Sequence, residues 1–511
     1  MSNTKSLIKF VLLILFVSIN ACKEEAKKET AHEEIKKPNI LFLFTDDQRG
    51  GTIGAMDKYN VQTPNMDQLV ENGTSFTNSY ILGATTAAVC SPSRAMLMTG
   101  RHYFNIEPNV YAQFAFPKDE KGKSDKLTFP EYFKSNGYTT FATGKQHNGE
   151  PWIERGFSFV KSAFLGGMTR HFGTKVKDYT PETGWSEGYK DDNKFSSEVF
   201  ADAAVGFIDS YKKEDPFLMY VAFTAPHDPR TAPQEFHDMY PAENIALPEN
   251  FMAQHPFEIA DDHIRDEVLA PFPRTEAIVQ KEISDYYAMI TATDVQIGRV
   301  LKALKDSGKA DNTIIVLAGD NGLALGQHGL LGKQNVYEHS VSVPMVFVGP
   351  NIPKNQKNSA FAYLHDIFPT LCGLTGLDIP ESIQTEDLTP VIKGEKDQVR
   401  ESMLYAYNSW PGEDYKPKVN NYGGHRAVRK GDFKLIVSAK HDDYKYQLFN
   451  LKNDPWELVN LIEDENYNNI KEELKLELQK LIKESGDKAD LSKREFGLFD
   501  NQEAYNFKTK K

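Results

Sequence analysis

Asn39-Ile40-Leu41-Phe42-Leu43-Phe44-Thr45-Asp46-Asp47 opens the globular part of the chain: five consecutive apolar residues, Ile40 to Phe44, that stop abruptly at Thr-Asp-Asp. A strand with one wet face alternates apolar and polar residues, whereas a run that is apolar at every position is buried on both faces, as in a parallel sheet covered by helices. Runs of the same kind recur at Phe217 to Phe223, Thr313 to Ala318 and Pro344 to Val348, each ending in a polar or Gly/Pro cluster, with helical patterns between them. The pattern predicts an α/β fold with a large, mostly parallel mixed sheet flanked by helices. Ligands in such sheets gather beyond the carboxyl ends of the strands, so Asp46-Asp47 and Asp320-Asn321 mark the edge where chemistry is expected. The stretch Asp285 to Leu304 places Ile290, Ile297, Val300, Leu301 and Leu304 at helical spacing and reads as a core-packed helix with no chemistry of its own.

Outward from this core, the composition shifts after Pro390. Arg426 to Val437 and Tyr446 to Phe449 alternate like antiparallel strands, and Ile470, Leu474, Leu478 and Leu481 mark an amphipathic helix. The expected organisation is therefore a catalytic domain over 38–390 and a smaller C-terminal subdomain over 391–511, with a small antiparallel sheet, a helix and a charged tail. At the other end, Lys5 and Lys9 precede the apolar run Phe10 to Ile19, the layout of an export signal over 1–21 that is too short to span a bilayer. Ile19-Asn20-Ala21-Cys22 resembles a bacterial lipoprotein box, which makes Cys22 the expected lipid-bearing residue, tethering the protein to a membrane through the charged stretch 22–37. That resemblance implies an exported lipoprotein at the outer membrane, on the cell surface or the periplasmic face.

The 511 residues are 40% hydrophobic and 26% charged, with a net charge of −13. Residues 1–21 hold two lysines and no acids, so their removal leaves −15. An acidic body repels polyanions, which argues against nucleic-acid binding and requires any anionic substrate to find a local cationic pocket. Three cysteines cannot supply a disulfide framework, and Cys372, in Leu371-Cys372-Gly373-Leu374, reads as a buried small hydrophobe.

The most specific stretch is Cys90-Ser91-Pro92-Ser93-Arg94-Ala95-Met96-Leu97-Met98-Thr99-Gly100-Arg101. Beside it, Asp46, Asp47, Asp320 and Asn321 can bring four oxygen-bearing side chains to one sheet edge. Such ligands suit Ca²⁺ or, less well, Mg²⁺; neither cluster has the histidine spacing that zinc favours. Arg94, Lys145 and Lys333 would provide the local positive pocket that an anionic substrate requires on an acidic body.

The Cys-x-Pro-x-Arg motif resembles that of the type I sulfatases, within the alkaline phosphatase superfamily. The resemblance runs from Pro38 to about Leu461 through Thr45-Asp46-Asp47-Gln48, Gly144-Lys145-Gln146-His147, Ala225-Pro226-His227, Gly319-Asp320-Asn321-Gly322, Gly329-Leu330-Leu331-Gly332-Lys333 and Leu448 to Asn460. It implies that a maturation enzyme oxidises Cys90 to formylglycine, which joins Asp46, Asp47, Asp320 and Asn321 around one calcium ion. It also implies that the hydrated aldehyde attacks sulfur, Asp320 holds its proton, His227 with Lys333 protonates the departing alcohol, and His147 takes the last proton as sulfate leaves. Gln146 and Ser342 replace the tryptophan and arginine often found at these places in the family, so an aryl-sulfate preference is not expected. His425 and Arg426 are candidate substrate contacts, weighed against a structural ion-pair role. The leading expectation is a sulfatase acting on a sulfated polysaccharide or its oligosaccharides, with ulvan, carrageenan, fucoidan and glycosaminoglycans as candidates. A phosphonate or phosphodiester hydrolase of the same superfamily and a non-catalytic glycan-binding lipoprotein are the alternatives.

Overall fold

The register between two central strands fixes where the chemistry sits. In the computed structural model, which describes residues 36–56, 58–85, 88–113, 116–258, 264–408, 424–440 and 443–492, Asn39–Thr45 (β1) runs parallel to Thr313–Gly319 (β9) with Thr45 opposite Gly319. Asp46 and Asp320, the next residue on each strand, therefore emerge side by side. Phe217–Ala222 (β8) lies parallel on the other flank of β1, and Thr139–Lys145 (β4) lies parallel to β8. All four strands thus point their carboxyl ends the same way, and each carries site residues at or just after that end. The signal over 1–21 and Cys22 lie outside the described residues.

The remaining strands of the large sheet are Thr74–Tyr80 (β2), Phe159–Phe164 (β5), Lys177–Thr180 (β6), Gly184–Trp185 (β7), Met345–Val348 (β10) and Gln356–Tyr363 (β11). Among the described residues the order is β11-β2-β10-β9-β1-β8-β4-β5-β6-β7. Every residue of β1 is buried. Ile40, Phe42 and Phe44 enter the core on one face, and Leu41 and Leu43 enter the core on the other, which is why the run is apolar at each position. The strand β10 runs antiparallel to both β9 and β2. The connection from β9 leaves and re-enters at the same sheet edge, so the chain reverses instead of crossing over.

The helix foreseen over Asp285 to Leu304 spans Glu276–Asp306, with the Thr275 hydroxyl accepting from the amide of Ile278 as its cap. Ile297, Val300 and Leu304 pack beneath the sheet. A second sheet has the order β15-β14-β13-β12-β3, built from Asp443–Asn450 (β15), Phe433–Lys440 (β14), Gly424–Lys430 (β13), Ser402–Asn408 (β12) and Gly83–Ala84 (β3). The last helix, Asn468–Ser485, packs Leu474, Leu478 and Ile482 against Leu404, Val428, Leu435 and Leu448. The residue pair Gly83–Ala84 joins this sheet from far upstream, pairing in parallel with β12, and the described residues from Pro38 onward form one compact unit. Position 390 falls inside the short helix Thr389–Ile392.

Candidate active site

Asp46, Asp47, Asp320 and Asn321 meet at the carboxyl ends of β1 and β9, all buried. The Asp47 amide donates to Oδ1 of Asp320 at 2.8 Å, and the Asn321 side-chain amide donates to Oδ1 of Asp47 at 2.8 Å. To turn the chain here Asp47 adopts φ 66°, a left-handed conformation that aspartate tolerates better than most residues. The Tyr286 hydroxyl, from the helix Glu276–Asp306, donates to the Asp47 carbonyl at 2.7 Å and accepts from the Arg49 amide at 3.0 Å, closing the loop.

Three buried cations oppose these carboxylates. Lys145 ends β4 and places its Nζ 2.5 Å from Oδ2 of Asp46. The residue before it, Gly144, has φ 84°, and a Cβ there would lie 1.8 Å from the Ala222 carbonyl oxygen, so only glycine lets β4 approach β8 closely enough to deliver the lysine. Lys333 donates to Oδ1 of Asp47 at 2.5 Å. Arg94 donates through Nε to Oδ2 of Asp320 at 2.9 Å and through Nη1 to the Lys145 carbonyl at 3.1 Å.

Arg94 belongs to the helix Cys90–Thr99, which is buried along its whole length and ends on Gly100 in the left-handed conformation. Pro92 sits in the first turn, where its missing amide hydrogen leaves no helical bond unmade. Cys90 is the first residue of this helix. Its Sγ lies 3.3 Å from Nδ1 of His147 and 3.5 Å from Nζ of Lys145. Burial lifts the Cys90 thiol to about 11, against the opposing pull of Lys145 and Lys333. At neutral pH it is a thiol, a poor nucleophile as it stands.

His147, at φ 47°, and His227 flank the thiol and the carboxylates. Burial, reinforced by Lys145 and Arg94, holds His147 well below the usual histidine range, so its imidazole is neutral and able to accept a proton. His227 donates from Nδ1 to the Asp228 carbonyl at 2.7 Å, which leaves Nε2 facing Oδ2 of Asp47 at 3.7 Å. Burial lowers His227 as well, while Asp47 and Asp228 pull it back up. For Asp47, burial is overcome by His227 and Lys333, which keep its carboxyl well below the usual range.

Asp46 is the opposite case: burial and Asp320 push it well above the usual carboxylate range despite Lys145 and Arg94. Its Oδ1 and the Oδ1 of Asn321 are buried without a hydrogen-bond donor. Orphaned oxygens crowded with mutually repelling carboxylates are what a hard divalent cation satisfies. One ligand atom each from Asp46, Cys90 and Asp320 lies within 4.8 Å of the others, and so it is for Asp47, His227 and Asp228. The donor set fits calcium or magnesium, and such an ion would supply positive charge against a bound anion.

The residues expected at the site, Cys90, Arg94, Lys145, His147, His227, Lys333, Asp46, Asp47, Asp320 and Asn321, all converge. Arg426 does not join them. It is 0% exposed and binds Asp487 through Nε and Nη2, the latter at 2.9 Å, so the substrate-contact expectation for Arg426 is corrected to a structural ion pair. His425, its neighbour on β13, points to the opposite face, where Nδ1 meets the Ser438 hydroxyl at 2.8 Å and the ring is 2% exposed. Its substrate role is likewise not supported by this packing. Cys372 is fully buried in the helix Ile367–Thr375, as expected of a small hydrophobe. Sequence reasoning passed over Asp228, whose carboxylate lies 3.3 Å from Nδ1 of His227 and is held by Arg265. Its place directly after His227 was the available signal; nothing in the sequence marks Arg265.

This fold and constellation, a buried cysteine ringed by carboxylates, histidines and cations at the strand ends, define a hydrolase centre suited to an anionic ester. The chain belongs to the sulfatase family: the family model described as Sulfatase matches residues 38–377. A second, described as N-sulphoglucosamine sulphohydrolase, C-terminal, matches 326–484. Among curated proteins, an ulvan-active sulfatase from Formosa agariphila is 29% identical over 94% of this chain and 88% of its own. An N-acetylglucosamine-6-O-sulfatase from Bacteroides thetaiotaomicron is 28% identical over 98% and 94%. A solved structure of a protein in complex with its substrate D-glucosamine-2-N,6-O-disulfate shares the fold, with TM-score 0.73 and 24% identity over 89% of this chain and 99% of that one.

Proposed function

We propose that this sulfatase removes sulfate from a sulfated polysaccharide or its oligosaccharides, using formylglycine made from Cys90 and a calcium ion. The observation that carries the reading is the setting of Cys90: a cysteine at the head of a buried helix, 3.3 Å from Nδ1 of His147 and 3.5 Å from Nζ of Lys145. A cysteine used directly would need a lowered pKa, so conversion of the side chain by a maturation enzyme accounts for what the surroundings do not provide. The aldehyde would supply an oxygen nucleophile that can later release its sulfate, and calcium, held by Asp46, Asp47, Asp320 and Asn321, would supply positive charge. The chain's own groups do the rest. Arg94 and Lys145 fix the carboxylates and keep the pocket cationic; Lys333, which holds its charge, stands with His227 beside the place of a leaving oxygen to deliver its proton; His147 accepts a proton beside position 90.

The polymer class rests on the two curated relatives, one ulvan-active and one acting on N-acetylglucosamine 6-O-sulfate. Lipidation at Cys22 and export to the outer membrane, on its outer or periplasmic face, complete the proposal and place the enzyme where polysaccharides are found.

The test is sulfate release by the matured protein from defined sulfated oligosaccharides, with Cys90→Ala as control and an aryl sulfate and a phosphodiester alongside. Release from a glycan, absent in the control, supports the proposal. Turnover of the phosphodiester alone would overturn it. Peptide mass spectrometry reads the conversion at position 90 directly, and loss of membrane association in Cys22→Ser tests the anchor.

A further inference from the structure

A pocket of 380 Å³ lies apart from the catalytic residues, between the loop after β1, the helix Glu276–Asp306 and Trp456. It falls in the size range of small-ligand sites. Its wall contains two cations without carboxylate partners among the described residues, Arg49 and Lys58. Arg49 is 1% exposed, and its Nε and Nη1 are buried with no hydrogen-bond acceptor. Its guanidinium carbon lies 4.2 Å from the ring centre of Tyr59, and the ammonium of Lys58 lies 4.8 Å from that of Trp456. Tyr59 and Trp456 meet edge to face at 6.2 Å, and Tyr287 completes the aromatic lining.

A buried guanidinium with unmet donors is costly in a chain this rich in acids, since most buried charges are paired. Glu249 is the one carboxylate among the described lining residues, and it is exposed. The pocket therefore combines a positive floor with flat aromatic walls. Aromatic faces receive the C–H side of a sugar ring, and cations that lack a carboxylate partner receive its sulfate or carboxylate.

We propose that this pocket is a second, non-catalytic site that holds one anionic saccharide unit of the polymer. Tyr59 and Trp456 pack the ring, and Lys58 and Arg49 receive its charged group. The pocket would raise the local concentration of sulfate esters at the catalytic centre by holding the chain at two points. The inference rests on the polysaccharide reading above, and the experiment separates the two.

Native gels containing ulvan or ι-carrageenan, or the same polymers after chemical desulfation, retard the unreactive full-length Cys90→Ala protein in proportion to affinity. The expected result is retardation by ι-carrageenan and not by its uncharged desulfated form, with desulfated ulvan, which keeps its uronate carboxylates, retarding less than the parent polymer. Adding Trp456→Ala or Lys58→Glu should raise the apparent Kd by about tenfold. In matured protein that retains Cys90, either substitution should leave aryl sulfate turnover unchanged. Equal retardation of the parent and both variants would overturn the second site. So would absence of retardation in every gel, while sulfate release from oligosaccharides kept the proposed function standing. Retardation that depends on Trp456, in a protein that releases no glycan sulfate, would instead leave the pocket and remove the function.

Discussion

Lys333 donates from Nζ to Oδ1 of Asp47 at 2.5 Å, joining the connection between β9 and β10 to the end of β1 across 286 residues of sequence. Burial works against the charge on Lys333, but Asp47 holds it well above the usual lysine range, so the ammonium is permanent. One group thereby fixes a metal-ligand candidate and presents protons beside His227. Replacing it should expose both roles. Lys333→Met keeps the length of the side chain and removes the charge; kcat for sulfate release should fall by about 10²- to 10³-fold, with a smaller change in KM. Unchanged kcat would remove Lys333 from the chemistry.

Asp46, Asp47 and Asp320 also predict a metal-dependent stability. Calcium that binds the folded chain only should stabilise it by about 2.7 kcal/mol at a hundredfold excess over its Kd. Thermal unfolding after treatment with a chelator, then with calcium restored, should show the midpoint fall and recover by a few degrees. Asp46→Asn and Asp320→Asn should each flatten that response. A full calcium response in both variants would contradict the assigned ligands.

The strands and the site were legible in the sequence for different reasons. β1, β8 and β9 announce themselves because both faces of the sheet are covered, leaving five or more apolar residues in succession. The metal residues follow from where those runs end. The strand β12, Ser402–Asn408, was missed, since Ser402, Tyr405, Tyr407 and Asn408 blur the alternation that marked β13 and β14. No local pattern reveals that Gly83–Ala84 pairs with it, because that contact is made by two residues from a distant part of the chain. The last helix packs Leu474, Leu478 and Ile482 fully into the core, with Ile470 and Leu481 half-buried against it, so the expected stripe holds and Ile482 widens it. For Arg426 the sequence left a substrate contact and a structural ion pair both open, because the partner, Asp487, lies 61 residues later and no local pattern marks it.

His328 and His425, which are buried, and His102 and His255, which are half-buried, predict acid sensitivity. Burial lowers His102 and His255 to about 4 and His328 and His425 to about 3, aided by Arg400 at His102 and by His255 at both His328 and His425. Unfolded histidine binds its proton near pH 6.5, so below that pH the unfolded chain holds more protons than the folded one. Stability should therefore decline as pH falls from 7 to 5, with each histidine adding a slope approaching about 1.4 kcal/mol per pH unit. Asp294, lifted to about 6 by burial, contributes with the opposite sign, as do Glu267 and Glu457, while burial lowers His171, His339 and His365 too and adds to the histidine side. Denaturant unfolding across this range measures the slope, and His425→Gln should reduce it. A flat profile between pH 7 and 5 would contradict the buried neutral state.

Arg426 and Asp487 offer the clearest separation of stability from catalysis. Their paired contacts, one at 2.9 Å, lie beneath the second sheet with side chains 0% and 2% exposed. Removing one partner strands the other charge in the interior, which costs about 3–5 kcal/mol. Arg426→Met should therefore lower the unfolding midpoint strongly, and so should Asp487→Leu. The double variant replaces the ion pair by apolar groups of similar bulk, and should recover most of the loss, because the desolvation of two charges disappears together with their attraction. In each variant, kcat per folded molecule should match the parent, since neither side chain reaches Cys90 or its carboxylates. A drop in kcat that persists in the double variant would restore Arg426 to the substrate-binding role that its burial argues against.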